Sequence, residues 1–340
     1  MINIKENVSL KPYNTFGLEA SARYFVEVSD TEALKDVLQH PLLVNQRKLF
    51  LGGGSNILLL NDFDGVVIKI GLKGKEIVSE TADFAIIKAG AGEIWHEFVL
   101  FCIDHNLGGV ENMSLIPGTV GAAPMQNIGA YGAEVKDTFH QLEALNLESL
   151  EVETFDAEKC AFGYRESFFK HEGKGKYVIL NVSFKLSKHP ELNVSYGAIR
   201  QTLQETGISH PTLRDVSNAV IHIRRSKLPD PAEIGNSGSF FKNPEIPEEE
   251  YLKIREKYPD IPGYEVSDTQ VKVPAGWLIE QAGWKGRRVG PVGVHDRQAL
   301  VLVHFGGGEG QAIADLAARI QASVSEKFGI TITPEVNFIR

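Results

Sequence analysis

The chain has 340 residues, 23% of them charged, and a formal net charge of −9. This length predicts two or three domains, and the acidic balance argues against a general nucleic-acid binder, which needs a basic face. With two cysteines, no metal-ligand spacing, no signal-peptide pattern and no long apolar stretch, the sequence predicts a reduced, cytoplasmic protein without a metal or a membrane span.

The first 71 residues predict a sheet with one helix packed on it. Strands are expected at 22–28, 48–53 and 65–70, and a helix over 30–40 with Asp30 as its N-cap. The second strand runs into "LGGGSN" (51–56), whose backbone N–H groups suit a phosphate or pyrophosphate. The spacing matches neither the Rossmann fingerprint nor the P-loop, so a plain tight turn remains the alternative.

Residues 72–225 predict further strands around a long uncharged loop. A strand is expected at 84–92, a helix over 93–106 with Ile94, Phe98, Phe101 and Cys102 on its apolar face, and several strands before 187. A helical pattern returns late, over 195–207. The loop "SLIPGTVGAAPMQNIGAYG" (114–132) consists mainly of small residues that let backbone wrap a large flat ligand. A buried strand pair with bends is the alternative.

The last third begins with "IHIRRSKLPDPAEIG" (221–235), whose prolines and glycine predict a loop at a domain boundary. Its basic residues either bind a diphosphate or are solvated. Helices are expected over 247–258, 274–283 and 311–329, with strands at 299–305 and from 330 to the end. "HFGGGEG" (304–310) fails the dinucleotide spacing and is read as a tight connection.

Three polar side chains stand in patterns typical of a reactive site. Arg165 in "AFGYRESFFK" lies among aromatic residues, so it either serves an anion or pairs with Glu166. Glu335 in "TPEVNFIR" (333–340) stands in a predicted apolar strand, where a carboxylate is either paired or catalytic. "GNSGSFFKNP" (235–244) has Ser239 where the nucleophile elbow of a hydrolase needs a glycine, so that motif is absent.

Nine segments in chain order resemble one family, the UDP-N-acetylenolpyruvoylglucosamine reductases, in their long, type I form. They span nearly the whole chain: "NTFGLEASARYF" (14–25), "LGGGSNIL" (51–58), "IPGTVGAAPMQNIGAYGAEV" (116–135), "FGYRESFFK" (162–170), "RRSKLPDP" (224–231), "GNSGSFFKNP" (235–244), "AGWLIEQAG" (275–283), "VHDRQALVLV" (294–303) and "PEV" (334–336).

The resemblance implies an α+β fold with an FAD-binding domain of the vanillyl-alcohol-oxidase (PCMH) type in two subdomains. Subdomain 1 would be 1–71, with a terminal strand at 331–340 returning to it, and subdomain 2 would be 72–225. A C-terminal α/β domain over 226–330 would bind the substrate.

The resemblance also implies the reaction: NADPH-dependent reduction of UDP-N-acetylglucosamine enolpyruvate to UDP-N-acetylmuramate, through non-covalent FAD, in peptidoglycan precursor synthesis. Ser239 resembles the family's proton donor, so it would be an acid rather than a nucleophile. Arg165 and Glu335 resemble the pair that stabilises the enol intermediate. The protein is expected to be a monomer whose partner is the small-molecule substrate, with no nucleic acid or membrane involved.

Two further sets of residues match the family's motifs. The expected cofactor-binding residues are Gly52, Gly53, Gly54, Ser55, Asn56, Ile57, Ser114, Ile116, Pro117, Gly118, Thr119, Gly121, Ala122, Asn127, Gly129, Ala130, Tyr131 and Gly132. The expected substrate-binding residues are Tyr164, Tyr196, Lys227, Asn243, Tyr264 and Gln298.

One departure from the family and two competing functions remain. Asn337 stands where many members have arginine after "PEV". An FAD oxidase of the same cofactor fold with another substrate is the first alternative, but segments 51–58 and 114–132 contain no His or Cys for a covalent flavin. A non-catalytic flavin- or nucleotide-binding protein is the second, and the presence of Ser239, Arg165 and Glu335 argues against it.

Overall fold

The computed structural model describes residues 2–340. The chain divides into two compact units. Unit 1 comprises the residues up to Val8, then Ala22–Gly53 and Asp64–Ser226, and unit 2 comprises Ser9–Ser21, Gly54–Phe63 and Lys227–Arg340. Unit 1 thus takes in most of both predicted cofactor subdomains, and 9–21 and 54–63 group with the C-terminal third. The predicted division into three domains stays a prediction.

The strands and helices are numbered in chain order. The strands are β1 (Lys5–Ser9), β2 (Ser21–Val28), β3 (Lys48–Leu51), β4 (Ile57–Leu59), β5 (Phe63–Ile70), β6 (Lys75–Glu80), β7 (Phe84–Gly90), β8 (Gly129–Ala130), β9 (Ala133–Glu134), β10 (Phe139–Asn146), β11 (Val152–Phe155), β12 (Tyr177–Ser187), β13 (Gly235–Ser239), β14 (Glu245–Pro247), β15 (Tyr264–Ser267), β16 (Gln270–Lys272), β17 (Arg288–Val289), β18 (Val292–Val294), β19 (Val301–His304) and β20 (Asn337–Ile339). The α-helices are α1 (Thr31–Gln39), α2 (Trp95–Asp104), α3 (Ala157–Cys160), α4 (Gly197–Glu205), α5 (Leu213–Lys227), α6 (Glu248–Lys257), α7 (Ala275–Gln281) and α8 (Gly310–Phe328). Short 3-10 helices lie at Lys11–Tyr13, Glu111–Met113, Val120–Ala122, Pro124–Gln126, Val135–Asp137 and Phe168–Lys170.

Unit 1 is built on two sheets. One has the strand order β1-β2-β5-β3, with β3 parallel to β5, and the other is antiparallel in the order β11-β10-β12-β7-β6. The central strand β12 is buried along most of its length, as its run of β-branched and aromatic residues predicts. Trp95 and Phe98 from α2 pack against Phe184 of β12, with ring centroids 4.7–5.7 Å apart, and so fix that helix on the sheet.

Unit 2 is built around α8. Its sheets have the orders β13-β19-β18-β17 and β14-β16-β15, and β20 pairs in parallel with β4, placing Asn337 opposite Ile57. The predicted face of α8 is buried, and the helix ends at Gly329, whose φ of 75° is the left-handed conformation of a glycine C-cap. The buried positions of that face are Ile313, Leu316, Ile320, Val324 and Phe328.

The strongly periodic segments are confirmed. Asp30 accepts the Ala33 N–H at 2.8 Å and begins α1, and "HFGGGEG" connects β19 to α8. Three expectations about local structure are wrong. Ile94 is 45% exposed, because α2 begins at Trp95, two residues later than predicted, and Ile94 is its N-cap. Residues 221–227 belong to α5 rather than to a loop, and only Asn337–Ile339 of the last stretch form a strand.

Candidate functional site

The two glycine loops of unit 1 meet at van der Waals distance. A Cβ on Gly53 would lie 2.8 Å from the Gly118 Cα, and a Cβ on Gly52 would lie 2.7 Å from the Thr119 Oγ1. Neither position accepts a side chain without displacing its neighbour, and Gly53 has only backbone to displace. The structure therefore brings together two segments that the sequence predicted separately as cofactor loops.

A basic side chain of the neighbouring strand β5 is hydrogen-bonded to the first glycine loop (51–56). Lys69 on β5 donates from Nζ to the Gly52 carbonyl oxygen at 2.7 Å. Burial lowers the pKa of this ammonium group, and the charge of Glu27 acts in the opposite direction. The bond fixes the carbonyl of Gly52 and therefore the orientation of the adjoining peptide planes.

The second loop is fastened to the segment that leads into α2. The Val120 N–H donates to the Glu93 carbonyl at 2.8 Å, the Gly121 N–H to the Ala91 carbonyl at 2.9 Å, and the Trp95 N–H to the Gly118 carbonyl at 3.1 Å. These bonds work as a short sheet-like ladder, so this loop has one defined path although it lacks long strands.

His96 supports the same loop through its ring. The Leu115 N–H donates to the His96 Nδ1 at 3.0 Å. Burial lowers the pKa of His96, and the nearby charges of Arg225 and Arg224 lower it further. The ring is therefore neutral near pH 7 with its proton on Nε2, because an Nδ1 that accepts a hydrogen bond carries no proton.

Two buried polar side chains predicted as cofactor ligands serve the protein itself. The Ser114 hydroxyl donates to the Glu111 carbonyl at 2.7 Å and lies 2.7 Å from the Ser217 hydroxyl, which links the loop to α5. Asn127 donates from Nδ2 to Glu134 and to the Gly163 carbonyl, and its Oδ1 accepts the Lys136 N–H. Their side chains therefore shape the loop through these internal hydrogen bonds.

Several non-glycine residues in this region have left-handed backbone. Leu115, Asn127, Tyr131 and Arg165 have φ between 44° and 59°. Such conformations are uncommon for residues other than glycine and asparagine, and they concentrate at binding sites, where surrounding contacts impose them. The exposed positions along these loops include Gly53, Pro117, Ala122 and Gly132.

Arg165 lies at the tip of a tight turn that is bonded to the second loop. Gly163 and Glu166 exchange both backbone hydrogen bonds, at 3.0 and 3.2 Å. The Arg165 Nη2 donates to the Gly129 carbonyl at 2.8 Å, and its guanidinium lies 5.3 Å from the Tyr164 ring centroid. The structure thus places the predicted catalytic arginine against the predicted cofactor loop.

Tyr196 also contacts this loop. Its ring packs edge-on against Tyr131, with centroids 5.2 Å apart and an interplanar angle of 86°. Tyr196 is 51% exposed and immediately precedes α4, so it is accessible to a ligand in solution. Tyr131 is the more enclosed of the two, and burial raises its pKa.

In unit 2, the end of the first glycine loop packs on the segment 13–16. Gly54 has φ 65°, and a Cβ there would lie 1.9 Å from the Tyr13 carbonyl oxygen. On the other side of that segment, a Cβ on Gly235 would lie 2.1 Å from the Phe16 carbonyl oxygen. Glycine is therefore required at both positions by close backbone approach.

Ser239 is exposed at the end of β13, where the pairing of this strand with β19 is irregular. The pairing with β19 shifts register between Asn236 and Ser239, and Gly238 in between has φ 70°. The buried Asn236 accepts the Gly238 N–H at 2.9 Å and donates to the carbonyls of Pro229 and Ile234. This clamp produces the bulge that leaves Ser239 exposed.

Glu335 lies on the segment beside Ser239. The Glu335 N–H donates to the Phe240 carbonyl at 2.8 Å, one residue beyond the serine. The Asn56 side chain of the glycine loop donates to the Glu335 carbonyl at 3.2 Å. Asn337, where the family often has arginine, donates from its backbone and its Nδ2 to the Asn56 carbonyl, both at 3.1 Å. Unit 2 thus joins the proton-donor candidate, the carboxylate and one cofactor segment.

The predicted substrate residues of unit 2 fall into two groups. Asn243 caps α7 by accepting the Ala275 N–H at 2.9 Å, and the Gln298 Oε1 lies 3.2 Å from where a Cβ on Gly276 would stand. These two side chains therefore lie at the first turn of the same helix. Lys227 and Tyr264 are exposed, Lys227 at the end of α5 and Tyr264 on β15.

The sequence interpretation missed three residues of this site. Asn236 lies in a quoted motif without a predicted role, and Lys69 and His96 lie in a predicted strand and a predicted helix without one. Their signal was weak, because each acts by bonding backbone groups and none belongs to a recognisable catalytic motif. Within residues 2–340, His, Cys, Asp and Glu form no cluster suited to a metal ion, and no helix is long and apolar enough to cross a bilayer.

Comparison with known proteins gives two matching family models. Residues 22–153 match the "FAD binding domain", and residues 230–339 match "UDP-N-acetylenolpyruvoylglucosamine reductase, C-terminal domain". The chain is 55% identical over 339 residues to the UDP-N-acetylenolpyruvoylglucosamine reductase of Flavobacterium johnsoniae, covering 99% of this chain and 100% of that protein. It is 49% identical over 336 residues to that of Pseudomonas savastanoi, covering 99% of each.

Solved structures agree on the fold. The reductase of Thermus caldophilus has a TM-score of 0.70 at 22% identity, with both chains fully covered. The 6-hydroxy-D-nicotine oxidase of Arthrobacter nicotinovorans has a TM-score of 0.54 at 13% identity, covering 97% of this chain and 87% of that one. The predicted α+β fold, with a PCMH-type cofactor domain and a C-terminal domain, is confirmed.

The fold and the glycine loops define an FAD-dependent oxidoreductase. Within that class, the chain belongs to the UDP-N-acetylenolpyruvoylglucosamine reductase family. The residues present fit the cofactor: the Gly53–Gly118 approach admits no side chain, and 114–132 contain no ionised side chain that would repel or occlude a flat ring. Family membership also decides against the oxidase and the non-catalytic alternatives.

Proposed function

We propose that the protein reduces UDP-N-acetylglucosamine enolpyruvate to UDP-N-acetylmuramate with NADPH, in peptidoglycan precursor synthesis. The observation that carries the proposal is that Ser239 and Glu335 lie on two segments of unit 2 joined by the bond from the Glu335 N–H to the Phe240 carbonyl, in a chain of this family. An exposed hydroxyl and a carboxylate carried by two hydrogen-bonded segments suit proton delivery to a substrate carbon.

FAD, when bound, supplies the two-electron chemistry that links NADPH to the enolpyruvyl double bond. The chain's own residues handle charge and protons. As the terminal vinyl carbon is reduced, negative charge develops on the substrate carboxylate, and Arg165 and Glu335 act on that group. Ser239 gives its proton to the neighbouring carbon, which completes the lactyl ether.

The geometry suits this division of roles. Arg165 is fixed by the Gly163–Glu166 turn and by its bond to Gly129, so its guanidinium needs little reorganisation to meet an oxyanion. Ser239 is exposed because the Asn236 clamp creates the bulge. A serine is a weak acid, and the developing charge on the adjacent carbon provides the drive for proton transfer.

The substrate residues proposed are Tyr164, Tyr196, Lys227, Asn243, Tyr264 and Gln298. The exposed Lys227 ammonium suits the diphosphate of the nucleotide sugar. Asn243 and Gln298 at the start of α7 offer amides for neutral sugar or uracil groups. Tyr196 has an exposed ring next to the cofactor loop, where it suits a cover over bound substrate.

The test is an anaerobic visible spectrum of the purified protein before and after NADPH, and again after UDP-N-acetylglucosamine enolpyruvate. The expected protein is yellow, bleaches with NADPH and recovers its colour only with this substrate. A protein that takes up no FAD would overturn the cofactor assignment. A protein that bleaches and stays bleached would keep the cofactor and overturn the substrate.

We also propose that the protein is a monomer and that it works in the cytoplasm, because NADPH and nucleotide sugars are available in that compartment. The two free thiols, Cys102 and Cys160, are both buried, which fits a reducing compartment. Light scattering after gel filtration, with and without FAD, tests the oligomeric state, and cell fractionation tests the compartment.

A further inference from the structure

Arg224 is a basic side chain that the proposed mechanism does not use. It lies in the last turn of α5, and its Nε is buried without a hydrogen-bond partner. Within residues 2–340 the structure gives it no ion pair and no hydrogen bond. Arg224 as a whole is half-buried, but this one N–H of its guanidinium is closed off from water, which is costly unless an acceptor is provided.

The helix that carries Arg224 faces the second glycine loop. Ser217 on α5 lies 2.7 Å from the Ser114 hydroxyl at the start of that loop. Ser114 donates its own proton to the Glu111 carbonyl, so Ser217 is the donor of this contact. Arg224 follows Ser217 by seven residues, which is two helical turns and the same face, about 10 Å along the axis. The guanidinium therefore lies on the side of α5 that is turned to the loop.

The electrostatic neighbours of Arg224 agree with this position. Its charge acts to lower the pKa of Tyr131 in the loop, and also that of His96, which holds Leu115. Burial lowers the pKa of Arg224 itself. The loop from 114 to 132 contributes no carboxylate that could neutralise it.

A second buried polar atom near Tyr131 also lacks a partner. Asn112 is 2% exposed and donates from Nδ2 to the carbonyls of Tyr131 and Asn193, both at 2.9 Å. Its Oδ1 accepts nothing. A missing acceptor for Arg224 and a missing donor for Asn112 together call for a ligand that has an anionic group and hydroxyl or N–H groups.

We propose that Arg224 is a positioning residue that binds a phosphate of the diphosphate ligand lying along the loop at 114–132. The diphosphate of FAD is favoured because the loop at 114–132 meets the predicted phosphate loop at 51–56 where Gly53 approaches Gly118, and the diphosphate of the nucleotide sugar is the other source. The uncharged loop supplies backbone N–H groups, and α5 supplies the positive charge that the loop lacks. This inference rests on the proposed function, since it needs a bound dinucleotide.

The decisive variants are Arg224→Gln, which removes the charge, and Arg224→Lys, which keeps it. The matched control is Arg225→Gln, because Arg225 is exposed and adjacent on the same helix. Apoprotein is titrated with FAD by flavin fluorescence, and holoprotein is titrated with UDP. We expect Arg224→Gln to raise the Kd for FAD about 10- to 100-fold, the range of a charge-assisted hydrogen bond, with part of the loss recovered in Arg224→Lys.

The melting temperature of the apoprotein separates a binding role from a structural one. If Arg224 binds an anion only when the ligand is present, the Arg224→Gln apoprotein is at least as stable as the wild-type apoprotein. Only the rise in Tm that FAD induces is then smaller. A lower apoprotein Tm for both Arg224 variants, or an unchanged Kd for FAD and for UDP, would overturn the proposal.

Two further outcomes locate the ligand. An unchanged Kd for FAD with weaker UDP binding supports a phosphate site for the substrate. A shifted reduction potential of bound FAD with unchanged affinities would place the guanidinium at the flavin ring and overturn a phosphate site. If wild-type apoprotein takes up no FAD at all, the proposed function fails, whereas wild-type binding with no effect of Arg224→Gln overturns this inference alone.

Discussion

The Arg165 Nη2 donates to the Gly129 carbonyl oxygen at 2.8 Å, so a side chain proposed for chemistry is bonded to the backbone of the cofactor loop. The same loop is bonded back to the turn that carries Arg165, because Asn127 donates to the Gly163 carbonyl at 3.0 Å. Any movement of the loop at 127–129 is therefore transmitted to the guanidinium. Cofactor binding and orientation of Arg165 are expected to be coupled.

Arg165→Lys tests the role of the planar guanidinium. Lysine keeps the charge but presents its N–H donors from a single nitrogen, so it cannot reach Gly129 and an oxyanion in the planar geometry that the separate nitrogens of a guanidinium provide. We expect kcat with UDP-N-acetylglucosamine enolpyruvate to fall about 10²- to 10³-fold, the usual cost of a lost oxyanion donor. Reduction of the flavin by NADPH, measured alone under anaerobic conditions, should change little.

Arg200→Lys is the matched control for that variant. Arg200 is an exposed arginine on α4, and kcat should stay at the wild-type value. Equal losses in both half-reactions of Arg165→Lys would show instead that the variant distorts the cofactor loop.

Ser239→Ala tests the proton donor. The variant should bind FAD and accept electrons from NADPH at the wild-type rate, because the hydroxyl has no part in that half-reaction. Reoxidation by the enolpyruvyl substrate should fall about 10²- to 10⁴-fold, the range for loss of a general acid. Stopped-flow absorbance of the prereduced protein measures this step directly.

Ser237→Ala is the control from the same strand. Its hydroxyl is buried and unpartnered, so its removal should leave turnover unchanged and keep or slightly raise stability. Normal reoxidation in Ser239→Ala would exclude serine as the proton donor, and a loss in Ser237→Ala would move the role two residues along β13.

Gly53→Ala tests the contact between the glycine loops. The added Cβ would stand 2.8 Å from the Gly118 Cα, and neither backbone can yield without moving its loop. We expect FAD affinity to fall at least tenfold. Gly52→Ala should be milder, because its nearest atom is the Thr119 side-chain oxygen, which can rotate away.

Gly197→Ala provides the reference for these variants. Gly197 begins α4 and has no atom within 4 Å of an added Cβ, so alanine should favour the helix and leave FAD affinity unchanged. Isothermal titration of apoprotein with FAD compares the three. Wild-type affinity in Gly53→Ala would mean that the loops separate without cost.

The sequence predicts well what depends on local pattern. The faces of α1 and α8 follow from apolar spacing and caps, and the glycine loops stand out by composition, so their ligand chemistry could be inferred before their contact was known. The contact itself was not predictable, because Gly53 and Gly118 are 65 positions apart and no local signal specifies which loops meet.

Two errors have a physical explanation. The prolines after Lys227 led to the prediction of a loop from residue 221, where α5 in fact continues to Lys227. The buried Val216, Val220 and Ile223 already show helical spacing. The bulge that presents Ser239 depends on the Asn236 side chain and on pairing with β19, which comes some 60 residues later. Register shifts are set by the partner strand, so a single strand does not reveal them.

His96 gives a prediction about pH. Its folded-state pKa is lowered by burial first, then by Arg225 and Arg224, with Arg214 adding to this and Glu97 opposing it. The unfolded chain therefore takes up a proton at a higher pH than the folded protein does. The contribution of His96 to stability is full above its ordinary pKa of 6.5 and is lost as the pH falls below it.

Protonation also removes the Nδ1 acceptor of the Leu115 N–H and so releases the start of the cofactor loop. His96→Asn separates these effects, since an asparagine Oδ1 can accept that bond without titrating. We expect the fall in melting temperature and in FAD affinity between about pH 7 and pH 5.5 to be smaller in His96→Asn than in wild type. Parallel pH profiles for the two proteins would assign the acid sensitivity to other groups and leave His96 with a packing role only.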